Sequence, residues 1–596
     1  MKTLLSARTW LPSWIAGYDR GKAAQDAVAG IVVTILLVPQ SLAYAMLAGL
    51  PAHVGMYASL LPLLAYAVLG SSMTLSVGPV AVASLMTAAA VTPLAVAGSA
   101  DYVLLSMLLA LIGGVVLLLL GVLRMGFVAN LLSHPVISGF VTGSAVLIAI
   151  GQLKPLLGVP AKGDTALELL VSLVSHAGQL HLPTAILGVS SAAALWASRR
   201  FLAQGLRSMG LGAKTADIVP KLAPMVVVLV AIAAVAAFAL DTGAGIAVVG
   251  VIPAGLPRLA VTMPTMPQLQ ALAVPAVMIA LIGFVESVSV AQSLAIKRGE
   301  RINPDAELRG LGAANLASAL SGGFPVTGGF ARSGVNFAAG ARSPLAGVVA
   351  AALMALVLLG LTGLFERLPL AVLAATIIVA VVGLIDIATL RHAWHYDRAD
   401  AVAWLVTAIG VLGLGVEAGV GLGVAMSIGT FLWRASRPHM AVVGRVGESE
   451  HFRNERRFSV RTYPGLLLLR VDESLFFANI PAVVRRIEEE IARLGDVRHL
   501  VLDLSSVGHI DLTAVEALQR LHSDLRERGI QMHLAEVRGP VMDRLKHTSL
   551  PGQLVNKPFL SLHEAIGLLA GEGSTPRLSV LPAVADGPDH SNRPKA

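Results

Sequence analysis

The chain has 596 residues, 55% of them hydrophobic and 13% charged, with a mean hydropathy of +0.76 and a net charge of +8. That much apolar material excludes the common water-soluble classes and indicates a polytopic membrane protein. The absence of cysteine excludes disulfides, thiolate metal sites and cysteine nucleophiles, and the basic excess gathers in loops, so nucleic acid is not an expected partner.

In chain order, residues 1–25 read as a cytoplasmic N-terminal segment. Lys2, Arg8, Arg20 and Lys22 are spread ahead of the first apolar run, without the compact layout of a cleaved signal. Windows of about 20 apolar residues predict spans at 26–48, 52–70, 76–96, 101–122, 128–153, 182–198, 222–240, 272–294, 308–321, 330–341, 344–364, 369–388, 400–416 and 418–434, a transmembrane domain over 26–436. An even number of spans puts the N-terminus, the loop with Arg199, Arg200, Arg207, Lys214 and Lys221, the loop with Lys297, Arg298, Arg301 and Arg309, and the C-terminal region on one side, cytoplasmic by the positive-inside rule.

In the first span Gln40, Ser41 and Tyr44 follow Pro39 as a polar stripe at helical spacing, fit either to wall a pocket or to hydrogen-bond a neighbouring helix. Two later stretches, Thr74–Met86 (TLSVGPVAVASLM) and Gly322–Gly340 (GGFPVTGGFARSGVNFAAG), are too interrupted for ordinary spans. Paired segments of this kind mark the substrate site of secondary transporters. Broken backbone at bilayer depth needs surrounding protein or a polar cavity, and a helix starting there presents free N–H groups and a positive dipole end, the ingredients of an anion site. Gln40-Ser41-Leu42-Ala43 recurs as Gln292-Ser293-Leu294-Ala295 at an offset of 252, which also carries Pro79 onto Ala331. Seven spans between equivalents make the two halves inverted.

The half-helix starts at Gly78, Pro79, Val80 and Ala81 and at Phe330, Ala331, Arg332 and Ser333 are therefore expected to face each other and bind an anion, with the hydroxyls of Ser76 and Thr327 nearby. Arg332 adds a full charge in a fork suited to oxyanions. Against this stands a reading in which the glycines only permit close packing and Arg332 snorkels to an interface. Glu286, the acid in the middle of its span, is either a proton carrier coupled to anion movement or a fixed counter-ion of Arg332. His392, His395 and Asp397 lie between spans beside Arg391 and Arg398 and read as a solvated loop, not a metal cluster. With no nucleophile–base pair, phosphate loop or metal-ligand spacing, neither an enzyme nor a cofactor is expected.

Composition changes after Trp433. Residues 437–463 read as a linker and 464–572 as a small α/β domain, with strands at Leu466–Val471, Leu475–Asn479, His499–Leu504 and Gln531–Val537 and helices at Pro481–Leu494, Asp511–Arg528 and Gly539–Lys546. Residues 573–596 lack periodicity and read as a disordered tail.

From AGIVVTILLVPQSLAYAMLAGLPAHVGMYASLLPLLAYAVLGSSMTLSVGPVAV through GGFPVTGGFARSGVNFAAG to LAATIIVAVVGLIDI, the chain resembles the SulP family of anion transporters, the prokaryotic and plant relatives of mammalian sulfate/chloride carriers. The C-terminal DLSSVGHIDLTAVEAL resembles STAS domains and, through them, bacterial anti-sigma-factor antagonists. The resemblance implies a seven-plus-seven inverted repeat of about 14 transmembrane segments, core and gate domains, an elevator-like movement and a homodimer. Arg332 then matches the basic residue beside the anion, Gly78-Pro79 and Phe330-Ala331 the facing half-helix ends, and Glu286 the acid of proton-coupled members, where a sodium-coupled bicarbonate member has aspartate. Ala331 departs from members with a serine beside the arginine. Thr513 stands where the antagonists carry a phosphorylated serine, though a first-turn role for Asp511 and Thr513 in a helix is the simpler account. The expected protein is a sulfate:proton symporter of the bacterial inner membrane, both termini cytoplasmic. Bicarbonate or C4-dicarboxylate as substrate, sodium as coupling ion, an anion channel and a STAS-linked sensor with a cytoplasmic partner are the alternatives.

Overall fold

The computed structural model describes residues 14, 18–130, 133–163, 165–210, 212–260, 262–570 and 577–578. The expected tail 573–596 lies outside them except for 577–578. Two compact units divide the chain, 1–428 and 429–596, the boundary falling inside the helix Val416–Ala435 that ends the first.

The first unit is helical. In order it contains α1 (Arg20–Leu47), α2 (Ala52–Tyr57), α3 (Leu61–Leu69), β1 (Val77–Gly78), α4 (Ala81–Val91), α5 (Ala100–Val122), α6 (His134–Leu157), α7 (Ala166–Ser175), α8 (Leu182–Ala197), α9 (Ala203–Ser208), α10 (Ala213–Phe238), α11 (Met266–Ile296), α12 (Pro304–Leu320), β2 (Thr327–Gly328), α13 (Phe330–Ala339), α14 (Leu345–Gly360), α15 (Leu370–Val382), α16 (Ile387–Tyr396), α17 (Arg398–Leu414) and α18 (Val416–Ala435). Among the described residues, six helical stretches are long and apolar enough to cross a membrane, beginning at Arg20, Ala52, Ala100, His134, Met266 and Leu370, and shorter apolar helices such as α4 and α14 lie between them.

The helices pack in two groups. α5 lies on α11 and α12, α3 on α12, and α1 on α13 and α14, while α6 lies on α15 and α17 and α8 on α15; α1 also packs on α10 and α15, and α4 on α6, where the groups touch. Glycine allows these close approaches: a Cβ at Gly419 of α18 would meet Val411 of α17 at 2.4 Å. Glu307 of α12 is fully buried, and Tyr66 Oη, Ser71 Oγ and the N–H groups of Ser71 and Ser72 all donate to its carboxylate at 2.6–2.9 Å. A buried acid so satisfied ties the end of α3 to α12.

The expected 52–70 span is present as Ala52–Leu69, with a turn at 58–60 between α2 and α3. Two expectations for this unit need correction. The 76–96 span opens as a strand and continues as an 11-residue helix. The segment holding His392 and His395 is helix α16, not a loop: His392 stacks on Tyr396, His395 Nδ1 bonds Arg391 O at 2.8 Å, and Asp397 caps α17 by accepting from Ala399 N. The amphipathic spacing of Ile387, Leu390 and Ala393 was outweighed in the sequence by its charge.

The second unit carries a mixed sheet of β3 (Met440–Arg445), β4 (Phe452–Asn454), β5 (Arg461–Thr462), β6 (Leu466–Val471), β7 (His499–Asp503), β8 (Gln531–Ala535) and β9 (Arg577–Leu578), in the order β8-β7-β6-β3-β5-β9 with β4 on β3. β6, β7 and β8 run parallel, whereas β3 is antiparallel to β6. Helices α19 (Ile480–Leu494), α20 (Leu512–Glu527), α21 (Gly539–Leu545), α22 (Leu550–Gln553) and α23 (Leu562–Leu569) complete it. Leu467 and Leu469 enter one core and Leu466 and Leu468 another, so both faces of β6 are covered, as parallel strands require. Residues 437–463, expected as a linker, instead supply three strands of this sheet. Leu475–Asn479, expected as a strand, forms a bridge at Leu475 and then a turn in which Asn479 Oδ1 accepts from Phe476 N.

Candidate functional site

β1 and β2 come from the two interrupted stretches and pair antiparallel, Val77 with Gly328 and Gly78 with Thr327. Each strand leads within three residues into a short helix, so the pair fixes the starts of α4 and α13 against each other. Strand to strand, the separation is 250 residues (327 − 77), not the 252 of the Gln-Ser-Leu-Ala match. Val80 and Gly329 occupy the N-cap positions in extended conformation, and neither helix has a side-chain cap. Their first-turn N–H groups are left for something other than a capping hydroxyl or carboxylate.

Gly78, Pro79, Val80 and Ala81 thus form the strand end, cap and first turn of one half-helix, and Phe330, Ala331, Arg332 and Ser333 the first turn of the other. Arg332 is 2% exposed, and its Nε, Nη1 and Nη2 have no hydrogen-bond partner among the described residues. Its guanidinium lies across the ribbon: a Cβ at Gly78 would be 3.3 Å from both Nη atoms and one at Gly329 3.3 Å from Nη2. Burying a guanidinium unpaired is costly, so the position is one that an anion would relieve.

A cavity of about 40 Å³ adjoins it, walled by Gln40 and Tyr44 of α1, the cap residue Val80 and Ala81 of α4, Glu286 of α11, the α13 start and, opposite, Ala380 and Val381 of α15. Gln40, Tyr44, Phe330, Ala331 and Ala380 also line a second cavity of about 470 Å³. Glu286 makes no hydrogen bond or ion pair among the described residues, unlike Glu307, and it also lines a narrow apolar gap toward Phe140 of α6 and Thr407 of α17. It therefore sits where the two helix groups meet.

The remaining polar groups hold the frame. Ser333 Oγ accepts from Ser76 N at 2.9 Å, Asn336 Nδ2 donates to Thr74 O at 3.0 Å, and Gly328 N donates to Ser287 Oγ at 2.8 Å. Thr327 Oγ1 donates to Gly283 O at 2.6 Å and meets Ser287 Oγ at 2.6 Å, so the hydroxyl expected to face the anion is committed to α11. Ser76 Oγ is buried without a partner among the described residues. Arg298, read as a loop cation, donates to Ala341 O at 2.5 Å and Phe337 O at 3.3 Å, its guanidinium 4.4 Å from the Phe337 ring centroid, and so closes the C-terminal end of α13. Sequence spacing carries no sign of that contact. Arg199 was also missed, and it lines the larger cavity.

In the second unit Asp511 caps α20, its Oδ1 accepting from Ala514 N and its Oδ2 from Phe477 N at 2.8 Å each, and Thr513 is exposed in the first turn. Burial, then the neighbouring His499 and His522, push His533 down to about 4. Burial alone would raise the Asp472 carboxyl, but hydrogen bonds from Arg470 and His439 hold it below its ordinary value.

Two opposed half-helices around a buried unpaired cation, in an apolar multi-pass bundle, define a membrane carrier. Residues 24–407 match the model of the Sulfate permease family and residues 457–565 that of the STAS domain. A protein of Mycobacterium tuberculosis named "Probable sulfate transporter" is 35% identical over 550 residues, 92% of this chain and 95% of the relative. Sulfate transporter 4.1, chloroplastic, of Arabidopsis thaliana is 32% identical over 568 residues, 93% of this chain and 81% of the relative. The fold is that of the murine Solute Carrier 26 family member A9 anion transporter, with a TM-score of 0.86 at 24% identity over 95% of this chain and 94% of that one. The transmembrane domain of a cyanobacterium bicarbonate transporter, BicA, matches with a TM-score of 0.58 at 24% identity, covering 68% of this chain and 99% of that one. The chain belongs to the sulfate permease family. It is a multi-pass membrane anion transporter with a C-terminal STAS domain, and not an enzyme.

Proposed function

We propose that the chain is a sulfate:proton symporter that holds its anion between the starts of α4 and α13, beside Arg332. The observation that carries this reading is the buried guanidinium of Arg332, without a hydrogen-bond acceptor among the described residues and set between two uncapped helix starts. Each start offers roughly half a positive charge and several N–H donors, enough with Arg332 to replace the water shell of a dianion. Gln40 and Tyr44 complete the wall.

Glu286 is the coupling group. Its carboxyl shares the cavity with Arg332, faces the apolar gap to α6 and α17, and lacks the hydrogen bonds that fix Glu307. Protonation removes a negative charge from beside the incoming anion and allows Glu286 to slide along the apolar face. The division into two helix groups, with the site on one and the α15 wall on the other, supports an elevator-like movement. A homodimer in the bacterial inner membrane with both termini cytoplasmic completes the reading. Thr513, exposed at the start of α20, is the candidate position for regulation, where a phosphate would meet the helix dipole.

The test is radiolabelled uptake in proteoliposomes of sulfate, bicarbonate and a C4-dicarboxylate, with and without proton and sodium gradients. Concentrative sulfate uptake driven by an inward proton gradient is the expected result. Preference for another anion, dependence on sodium, or unitary conductance in single-channel recording would overturn it in favour of the corresponding alternative.

A further inference from the structure

The 470 Å³ cavity holds a second cation that the reading above leaves unused. Helix α8 ends at Ala197 and passes into a π-helical turn, Ser198–Leu202, an irregularity that occurs often at functional sites. Arg199 on this turn lines the cavity, and its Nη1 donates to Val379 O of α15. That carbonyl is free because the C-cap Gly383 turns its N–H to Val381 O. One donor is thus committed, and the planar fork of the guanidinium has others to offer. Ser198 lines the same cavity, and its Oγ is buried without a partner among the described residues.

Among the described residues that line the cavity, none is an acid that would neutralise Arg199. Its far wall is Gln40, Tyr44, Phe330 and Ala331, shared with the smaller cavity at Arg332, and Tyr44 lies within electrostatic reach of both guanidinium groups. A positive charge, an unpaired hydroxyl and a continuous wall leading to the α13 start are what a transient anion site needs. We propose that Ser198 and Arg199 form a second oxyanion subsite on the α8–α15 side of the larger cavity, which holds the anion before it reaches Arg332.

This rests on the reading of the α13 start as the anion site, and binding separates the two. The probe is labelled inorganic sulfate, titrated against the full chain in nanodiscs of zwitterionic phosphatidylcholine, so that no anionic headgroup competes. Arg332→Ala is expected to keep weak, salt-sensitive sulfate binding, which falls at least tenfold further in Arg199→Gln/Arg332→Ala. In proteoliposomes Arg199→Gln should raise half-saturating sulfate at least fivefold, more than it lowers the maximal rate, and Ser198→Ala two- to threefold. Arg199→Lys, which keeps the charge and a donor for Val379 O, should stay within twofold of wild type and guards against a folding artefact. Equal sulfate binding by Arg332→Ala and the double variant, or unchanged half-saturation in both Arg199→Gln and Ser198→Ala, would overturn the subsite alone. No sulfate binding by wild type would overturn the subsite and the sulfate reading together.

Discussion

The two half-helices arise from equivalent places in the two repeats, yet they differ in what they bring. α4 is apolar and buried along its first turn, so Ala81 and Val82 present backbone alone. α13 begins with Phe330, Ala331, Arg332 and Ser333, and its side chains carry the charge and tie the ribbon together through Ser76 and Thr74. The repeat thus duplicates the helix dipole but not the ion. A pair of dipoles accepts many anions, whereas a single guanidinium on one side sets where the charge must rest.

The comparison breaks most sharply at Arg332. Arg332→Ala should lower uptake at least 100-fold while the thermal midpoint holds or rises, because no hydrogen bond among the described residues is lost and an unpaired buried charge is removed. Near-normal uptake would mean that the backbone of both helices suffices. Next, Glu286→Gln in liposomes should abolish stimulation by an inward pH gradient, and a retained response would return Glu286 to a structural role.

A finer test treats both starts alike. Proline is tolerated at the first helical position but lacks the N–H, and Val80 and Gly329 already have the extended conformation it requires of its predecessor. Ala81→Pro and Phe330→Pro should each weaken sulfate binding about tenfold or more, the value of one hydrogen bond to a charged group at about 1.5–3 kcal/mol. Unequal losses would show that the anion leans on one helix. Ser333→Ala removes only the bond to Ser76 N, and a loss of about three- to tenfold in uptake, or about 1 kcal/mol, is expected.

The smallest effect is a control on pH. His533 titrates at about 4 when folded and near 6.5 when unfolded, so as pH falls from 6.5 toward 4 the unfolded state takes up a proton that the folded one refuses, and stability is lost. Hydrogen-exchange protection of β7 and β8 in the full chain, taken relative to the intrinsic rate at each pH, should fall between pH 7 and 5, and His533→Gln should blunt the change.

Much of this was legible from residue order. Glycine and proline inside apolar runs located both half-helix starts, and Arg332 and Glu286 stood out because charge is rare at bilayer depth. The contacts of Arg199, Arg298 and Thr327 were not legible, because each is made with backbone distant in sequence: Val379, Ala341 and Gly283 accept through carbonyls that no side-chain pattern reveals. Strands β3 to β5 escaped for a related reason. They are short and polar-edged, and they acquire their pairing from β6, from β9 and from one another.

The β1–β2 ribbon has a further consequence, in time rather than space. Its two strands are 250 residues apart, so at roughly 5–20 residues per second the ribosome delivers the second about 12–50 s after the first. Throughout that interval the edge of β1 has no strand to pair with, and the start of α4 lacks the arginine that faces it. A nascent chain stalled before Thr327 should therefore leave the Val77–Ala81 backbone open to hydrogen exchange, and the anion site should assemble in a single late step when α13 enters the membrane.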